Sequence, residues 1–266
     1  MSVLVLGANG MLGSMVTWYG SSHTSYKIVS TSRKLFDAIA QPVDVLEPLL
    51  KTALCVVNCI GAIPQKSYND EELGQLNTSF PIKLAELCEK LNVPLLHIST
   101  NCVFSGKTGD CLETAKPDAE DSYGLSKALG EPGSAVVLRC SIIGPERGTA
   151  FGLLEWFLHS DGHVNGFTDH YWNGLTTLEL AKQIFRIIDH RDFGPRIQHF
   201  YSANTLSKYE LLKTIADTFG KPCTINPIVK GEKFYTLKSL ASPHSPELQT
   251  QIRELVAILP AYRRGF

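Results

Sequence analysis

The chain has 266 residues, which at ~150 residues per domain corresponds to one large domain or two small ones. Its 25 Lys and Arg nearly balance its 26 Asp and Glu, and this net charge of −1 argues against a partner that is a nucleic acid or an anionic membrane. Hydrophobic residues make up 44% and charged residues 19%, which is typical of a folded globular protein and not of a disordered one.

The sequence also indicates where the protein acts. No apolar run approaches the ~18 residues that span a bilayer, and the N-terminus begins with strand-like residues in place of a basic leader. Seven cysteines include no C-x-x-C pair, so we interpret them as reduced packing residues. We therefore expect a cytoplasmic protein with no membrane partner.

Short apolar runs alternate with helix-like stretches over the first 140 residues. The pattern predicts strands at 3–6, 26–30, 54–60, 94–99 and 135–139, and helices at 11–19, 71–91 and 122–130. Strands that alternate with helices indicate right-handed β-α-β units and a parallel sheet covered on both faces. The fold class predicted is α/β, a Rossmann-type doubly wound parallel sheet.

The regular alternation of short apolar runs and helix-like stretches ends after Gly144-Pro145. Helices are predicted at 151–159, 177–188, 208–219 and 246–258, and one short strand at 199–202. We expect a smaller C-terminal substrate-binding lobe that closes over the sheet. The predicted division is a dinucleotide-binding domain at 1–147 with a returning segment at about 168–202, and a lobe at 148–167 and 203–266.

A glycine-rich turn follows the first predicted strand and opens the first helix. It contains Gly7, Asn9, Gly10, Met11 and Gly13. Glycines let the backbone approach a diphosphate, and a helix N-terminus supplies N–H donors and the positive end of the helix dipole. This strand–turn–helix context predicts a dinucleotide site rather than an ordinary turn.

The second predicted strand is followed by hydroxyls and cations, among them Ser32 and Arg33, and not by the acid that would bind the ribose of NAD. Such residues suit a 2′-phosphate, so NADP(H) is favoured and NAD(H) stays open. The alternative is a solvated Arg-Lys pair in a loop. Asp44 either bonds the adenine edge or caps the following helix.

Tyr123 and Lys127 lie four residues apart on a predicted helix, where residues i and i+4 share a face. An adjacent ammonium stabilises a phenolate and lowers the pKa of the phenol. The same spacing recurs at Tyr209 and Lys213, but beyond the last sheet strand, so we interpret that pair as structural.

Hydroxyls stand at the carboxyl end of the strand predicted at 94–99. Ligands of parallel sheets bind beyond such ends, so Thr100, with Ser99 beside it, is a candidate to polarise a substrate carbonyl. The alternative for both is a local turn or a helix cap.

Two further groups of residues are candidates for ligand binding. The run 166–174 is dense in aromatic and polar residues, and Trp172 and Asn173 are its candidates for substrate contact, with core packing as the alternative. His159 and His163 lie four apart near Asp169-His170, but a helix-breaking segment separates them and no third ligand has a fixed spacing. We predict no metal site.

In combination these residues resemble the extended short-chain dehydrogenase/reductase superfamily, and within it the dTDP-4-dehydrorhamnose reductase family. The segments that carry the resemblance are the glycine turn, V-N-C-I-G at 57–61, L-N-T-S-F-P at 76–81, H-I-S-T-N-C-V-F-S-G at 97–106, Y-G-L-S-K at 123–127, L-R-C-S-I-I-G-P at 138–145, N-G-L-T-T-L-E-L-A at 173–181 and S-K-Y-E-L-L at 207–212. They extend over nearly the whole chain.

The resemblance implies a role for each matching position. Tyr123 is the general acid/base, Lys127 binds the nicotinamide ribose and lowers the pKa of the tyrosine, and Thr100 orients the carbonyl. Asn77 supports a proton-relay water near Lys127, and the loop Gly61-Ala62 passes the adenosine ribose and diphosphate.

The resemblance also implies substrate contacts. Arg139 and the turn 141–145 fall where the family's sheet meets its substrate lobe, and Ser99 and Asn101, on either side of Thr100, are expected to contact the substrate with Arg139. The chain departs from the reductases at Asn101-Cys102, where they usually carry Asp-Tyr, and we interpret Cys102 as a filler for the missing ring.

Three functions follow, in order of preference. The first is NADPH-dependent reduction of a nucleotide-linked 4-keto-6-deoxysugar in surface polysaccharide biosynthesis. The second is an NAD(P)-dependent sugar-nucleotide epimerase, and the third is a non-catalytic NADP-binding regulatory subunit. The predicted partner is a nucleotide sugar, and a homodimer stays open.

Overall fold

The computed structural model describes residues 2–194, 196–241 and 244–265. The strands in this part of the chain are β1 (Ser2–Leu6), β2 (Lys27–Thr31), β3 (Ala53–Asn58), β4 (Leu95–Thr100), β5 (Val136–Cys140), β6 (Ile142–Ile143), β7 (His163–Phe167), β8 (His170–Trp172), β9 (Leu175–Thr176), β10 (Arg196–His199), β11 (Leu206–Ser207), β12 (Thr224–Ile228) and β13 (Lys233–Tyr235).

The α-helices of the same residues begin and end close to their predicted positions in the first half of the chain. They are α1 (Met11–His23), α2 (Glu47–Leu50), α3 (Asp70–Gly74), α4 (Phe80–Lys90), α5 (Ser122–Leu129), α6 (Leu153–Leu158), α7 (Thr177–His190), α8 (Lys208–Phe219) and α9 (Leu248–Arg264).

Six strands of the described chain form one sheet in the order β10-β5-β4-β3-β1-β2, and every pairing in it is parallel. The chain passes from β1 to β2 on one side and then returns to β3 on the other. This reversal opens a crevice between β1 and β3 at their carboxyl ends, the place where ligands bind in open α/β sheets.

The sheet is covered on both faces, as the near-continuous apolar strands predicted. Val3 and Val5 of β1 belong to the core under α1 and α7, whereas Leu4 and Leu6 belong to the core under α4. Neighbouring side chains of a strand point to opposite faces, so a strand buried twice must be apolar at every position. The predicted fold class, a Rossmann-type doubly wound parallel sheet, is confirmed.

The predicted helix 71–91 is helical throughout but contains a π-helical turn at Gln75–Ser79 between α3 and α4. In this turn the Phe80 N–H bonds to the Gln75 carbonyl, five residues back. Pro81 follows at once and has no N–H to donate to the carbonyl of Asn77, so the regular α pattern cannot continue. The periodicity of apolar residues predicts a helix over 71–91 but does not indicate the π-helical turn within it.

The C-terminal half follows its predicted pattern less closely. The segment 160–174 contains β7 and β8, and the strand expected at 199–202 lies at Arg196–His199, in parallel register with β5. The last helix extends six residues beyond the predicted end, from 258 to Arg264. These short elements depend on partners distant in sequence, such as β12 for β7 and β11 and β13 for β8.

In the described part of the chain no helix has both the length and the apolar character needed to cross a membrane. The predicted domain boundaries stay a prediction, since the core under α1 and α7 also includes residues of α8 and α9.

Candidate active site

A cleft of about 430 Å³ lies at the carboxyl ends of the central strands. Its walls bring together residues predicted from separate parts of the sequence, namely Gly10, Met11, Gly61, Ala62, Ser99, Thr100, Tyr123 and Lys127. The cleft is where the switch in strand order places a ligand site.

The glycine turn packs so tightly against α1 and the residues that follow β3 that it has no room for a side chain at two of its positions. Gly7 has a φ of +77°, and a Cβ there would lie 3.0 Å from the side chain of Ile60, which follows β3. A Cβ on Gly13 would lie 2.2 Å from the carbonyl oxygen of Gly7, because α1 packs directly on the turn. The glycines therefore bring helix and strand together at the cleft.

The N-terminus of α1 opens into this cleft. Gly10 is its N-cap and provides no side-chain acceptor, so the first N–H groups of the helix are available to a ligand. Gly10 and Met11 line the cleft, whereas Asn9 is exposed and is not among its lining residues. The close-packed glycines and the free N–H groups fit a dinucleotide diphosphate.

Tyr123 and Thr100 meet on the opposite wall. Asp121 caps α5 by accepting a hydrogen bond from the N–H of Gly124, and the first turn of this helix carries Tyr123. Burial raises the pKa of the Tyr123 phenol, and a hydrogen bond with the Thr100 hydroxyl acts in the opposite direction. Thr100 also caps a short turn, since its oxygen accepts the N–H of Cys102 at 3.1 Å. The two interpretations of Thr100, a hydroxyl that polarises a substrate carbonyl and a cap of a local turn, are therefore compatible with one another.

Lys127 is 5% exposed and lies one helical turn beyond Tyr123. Its ammonium donates a hydrogen bond of 2.7 Å to the carbonyl of Ile98, on β4. Burial lowers the pKa of Lys127 to about 8. The expectation that this cation holds the pKa of Tyr123 low is not met, because burial of the phenol outweighs the other effects on it.

Asn77 lies in the π-helical turn and is fully buried. Its amide accepts the N–H of Ala62 at 2.9 Å, donates to the Ala62 carbonyl at 3.1 Å and donates to the Ser126 hydroxyl at 3.1 Å. A Cβ on Gly61 would lie 3.3 Å from the Asn77 oxygen and 3.8 Å from the Lys127 nitrogen. Asn77 therefore fixes the loop after β3 against α5, beside Lys127. Both N–H donors of its amide are occupied, and the predicted role of supporting a relay water stays a prediction.

The end of β2 supplies the candidates for a 2′-phosphate. Ser32 and Arg33 follow the strand directly, and the exposed guanidinium of Arg33 donates to the Tyr68 hydroxyl at 2.8 Å. Arg33 also forms an ion pair of 3.9 Å with Asp37. Asp44 is exposed inside a short 3-10 turn, where its carbonyl accepts the N–H of Glu47. The N-cap of the following helix α2 is Leu46, so Asp44 does not cap it, and contact with the adenine edge stays a prediction.

Three expected substrate contacts are occupied by structural bonds instead. Arg139 is 1% exposed and forms a bidentate pair with Glu131, at 2.7 and 2.8 Å, so the expectation that it binds substrate is corrected. The Ser99 hydroxyl donates to the same carboxylate at 2.5 Å, although Ser99 itself lines the cleft. The Asn101 amide donates to the carbonyl of Tyr235 at 3.0 Å. A buried guanidinium needs a carboxylate partner, and this need outweighs ligand binding here.

Trp172 and Asn173 are likewise structural. Trp172 is 2% exposed and its indole N–H donates to the Ser141 hydroxyl at 2.7 Å. The Asn173 amide exchanges two hydrogen bonds with the backbone of Leu237, at 2.8 and 3.0 Å. The core-packing alternative is therefore correct for both, and neither lines the cleft.

Several residues of the cleft were not predicted from the sequence. Cys59 and Cys140 line it beside Lys127, and burial raises the pKa of each thiol to about 12, so both remain neutral. Phe151 also lines it and is 45% exposed. Lys208, at the start of α8, is not among the lining residues but lies near Cys102: burial raises the pKa of the Cys102 thiol, and the Lys208 ammonium acts in the opposite direction. Only the position of Cys59 and Cys140 at the ends of predicted strands could have indicated them.

The histidines weighed as metal ligands are dispersed. Asp169 accepts the N–H groups of Lys230 and Gly231, and His159 lies at the end of α6. Within the residues that the structure describes, no group of three or more His, Cys, Asp or Glu side chains is arranged to hold a metal ion.

The parallel sheet, the glycine turn and the Tyr–Lys pair of one cleft are features of an NAD(P)-dependent oxidoreductase of the extended short-chain dehydrogenase/reductase type, and this is the class of the protein. The family described as the RmlD substrate binding domain matches residues 1–264, and the chain belongs to this family. The predicted family resemblance and the enzyme class are confirmed.

Relatives with known descriptions agree with this membership. A probable low-salt glycan biosynthesis reductase, Agl14 of Haloferax volcanii, is 29% identical over 249 residues, which cover 85% of this chain and 82% of the relative. The structure of a dTDP-4-dehydrorhamnose reductase from Clostridium acetobutylicum superposes with a TM-score of 0.84 at 18% identity, covering 98% of this chain and 100% of that one. The corresponding enzyme of Bacillus anthracis, solved in complex with NADP, gives a TM-score of 0.83 at 17% identity, with 97% and 99% coverage.

Proposed function

We propose that this protein uses NADPH to reduce the keto group of a nucleotide-linked 4-keto-6-deoxysugar, in the biosynthesis of a surface polysaccharide. The observation that carries the proposal is the convergence of Thr100, Tyr123, Lys127 and the N-terminus of α1 in one cleft. The names of the relatives support a glycan reductase and a dTDP-sugar substrate, and the NADP complex of one of them supports the cofactor.

Residues of the chain fit both charged groups of the cofactor, the diphosphate and the 2′-phosphate. The N–H groups at the start of α1 and the loop Gly61-Ala62 would hold the diphosphate. Ser32 and Arg33 would hold the 2′-phosphate, and no carboxylate follows β2 directly to repel it. NADPH, when bound, supplies a hydride to the carbonyl carbon of the sugar.

The proton comes from the protein. Tyr123 donates its phenolic proton to the carbonyl oxygen, so that one hydride and one proton together convert the ketone into an alcohol. Because burial raises its pKa, the phenol is protonated at neutral pH, which is the state that a reduction requires. The Thr100 hydroxyl lines the cleft together with this phenol and would orient the same carbonyl.

Lys127 replaces the proton that Tyr123 has donated. With a pKa of about 8, its ammonium is mostly protonated at neutral pH and can still release a proton without a large energetic cost. Asn77 holds the loop after β3 beside this ammonium. The chain thus provides a proton donor in Tyr123, an orienting hydroxyl in Thr100 and a source of the replacement proton in Lys127.

The test is Tyr123→Phe, assayed by NADPH consumption against a panel of 4-keto-6-deoxysugar nucleotides with NADH in parallel. We expect kcat to fall by at least ~10²-fold with an unchanged Kd for NADPH, because only the proton donor is removed. Tyr209→Phe is the matched control, since Tyr209 has the same spacing to a lysine but lies outside the cleft lining. Normal turnover by the Tyr123 variant would refute the mechanism.

The same assay separates the alternatives. An epimerase would convert a sugar nucleotide without net NADPH consumption, and a regulatory subunit would bind NADPH without turning over any member of the panel. The cytoplasmic location, the homodimer and the lack of a nucleic-acid or membrane partner stay predictions.

A further inference from the structure

Lys208 places a positive charge inside the substrate lobe. It is the first residue of α8, directly after the cap Ser207, and is half-buried. Its ammonium lies 4.8 Å from the centre of the Trp172 ring. Among the residues described by the structure, this ammonium has no carboxylate partner and no hydrogen-bond acceptor.

The ammonium of Lys208 lies between two cavities. A second cavity of about 450 Å³ is lined by Lys208 together with Trp156, Phe167 and His170. Leu153 lines both this cavity and the catalytic cleft, so the two adjoin. On the other side Lys208 interacts electrostatically with Cys102, which lines the catalytic cleft.

An unpaired cation in this position is energetically unfavourable. Burial lowers the pKa of Lys208 to about 8, since water is excluded and the protein provides no counter-charge. The Trp172 ring stabilises an ammonium only in part. An anion that entered the space between the cavities would restore the missing interaction.

We propose that Lys208 binds an oxyanion of the substrate, on the side of the reacting sugar that faces the second cavity. The inference rests on the proposed function, since a carbonyl held by Thr100 and Tyr123 places the neighbouring part of a nucleotide sugar toward Cys102 and Lys208. In a nucleotide-linked 4-keto-6-deoxysugar, the group with this chemistry is the diphosphate that joins nucleoside and sugar. Lys208 would then determine which sugar nucleotides are accepted.

The experiment compares Lys208→Met with Lys213→Met. Methionine keeps an unbranched apolar side chain against Trp172 and removes only the charge. Lys213 is exposed on the same helix and its ammonium lies over the Tyr209 ring, so it is a control of equal charge change. Calorimetric Kd values are measured for UDP and dTDP, for uridine and thymidine, for glucuronate, and for NADPH.

We expect Lys208→Met to weaken the binding of UDP and dTDP at least tenfold, because a hydrogen bond to a charged group is lost. Uridine, thymidine and NADPH should bind as in the wild type, and Lys213→Met should change none of the values. Weaker binding of glucuronate with unchanged UDP and dTDP would overturn the inference, because the proposed 6-deoxysugar substrate carries no carboxylate.

Equal affinity of Lys208→Met and wild type for every anion would overturn the inference, as would a wild type that binds none of them. Unchanged NADPH affinity shows that the variant is folded. Because binding is measured without turnover, failure of the proposed reduction is detected separately, by the activity of the wild type on the panel.

Discussion

Replacement of Lys127 by methionine is expected to abolish catalysis and yet stabilise the fold near neutral pH. Burial lowers the pKa of this lysine from 10.5 to about 8 in the folded protein. At about 1.4 kcal/mol for each pKa unit, the difference corresponds to about 3 kcal/mol. The hydrogen bond from Lys127 to Ile98 is lost in the variant and offsets about 1 kcal/mol of this gain.

The sign of the effect depends on pH. Below pH 8 the lysine is charged in both the folded and the unfolded state, so the folded state bears the full cost of burying the ammonium. Between pH 8 and 10.5 the folded state releases the proton before the unfolded state does, and the stability of the wild type rises with pH. Relative to Lys127→Met, the wild type should gain about 3 kcal/mol over this range.

The assay is urea unfolding of both proteins at several pH values from 7 to 10.5. Other titrating groups are common to the two proteins and cancel in the difference. Lys83→Met, an exposed position on α4, is the control and should show no such trend. A difference in stability that is the same at pH 7 and pH 10 would refute the reasoning. In the activity assay, wild-type kcat should decline as the pH rises through about 8, since Lys127 then loses the proton that it supplies.

Three further outcomes are expected. Gly13→Ala should weaken NADPH binding more than tenfold in a titration and lower the unfolding midpoint, because its Cβ would lie 2.2 Å from the Gly7 carbonyl oxygen. Arg33→Met should raise the KM for NADPH about tenfold and leave that for NADH unchanged, because only NADPH carries the 2′-phosphate. Glu131→Gln should destabilise the fold by about 3 kcal/mol or more in urea, because it leaves the buried Arg139 cation without its counter-charge.

Each of these has an outcome that contradicts it. Gly74→Ala is the control for the glycine turn, since a Cβ there meets no atom within 4 Å, and equal effects of the two alanines would count against the diphosphate site. A parallel rise in KM for NADH would show that Arg33 does not read the 2′-phosphate. A stability change below about 1 kcal/mol for Glu131→Gln would show that the pair with Arg139 contributes no more to stability than an exposed ion pair does.

The sequence by itself determined the features that depend on residues close together in the chain. Apolar runs at every position of β1 indicated a strand buried on both faces, and the core confirms it. The glycine turn was identified because its constraint is local, in that α1 packs onto the turn that precedes it. The spacing of Tyr123 and Lys127 likewise defines one helical face, and both line the cleft.

Only the tertiary structure decided which polar residues are free to bind a ligand. Arg139 and Asn173 lie beside the site in sequence motifs, but Glu131 and the backbone of Leu237 bind them. Lys208 lies in the matching segment 207–212, but no role was predicted for it, and no acidic side chain of the described residues pairs with its ammonium. A buried polar group must be satisfied by whichever partner the fold brings near, and that partner can be 64 residues away, as Leu237 is from Asn173. Local sequence patterns carry no information about such partners, so the substrate side of the cleft could not be predicted from them.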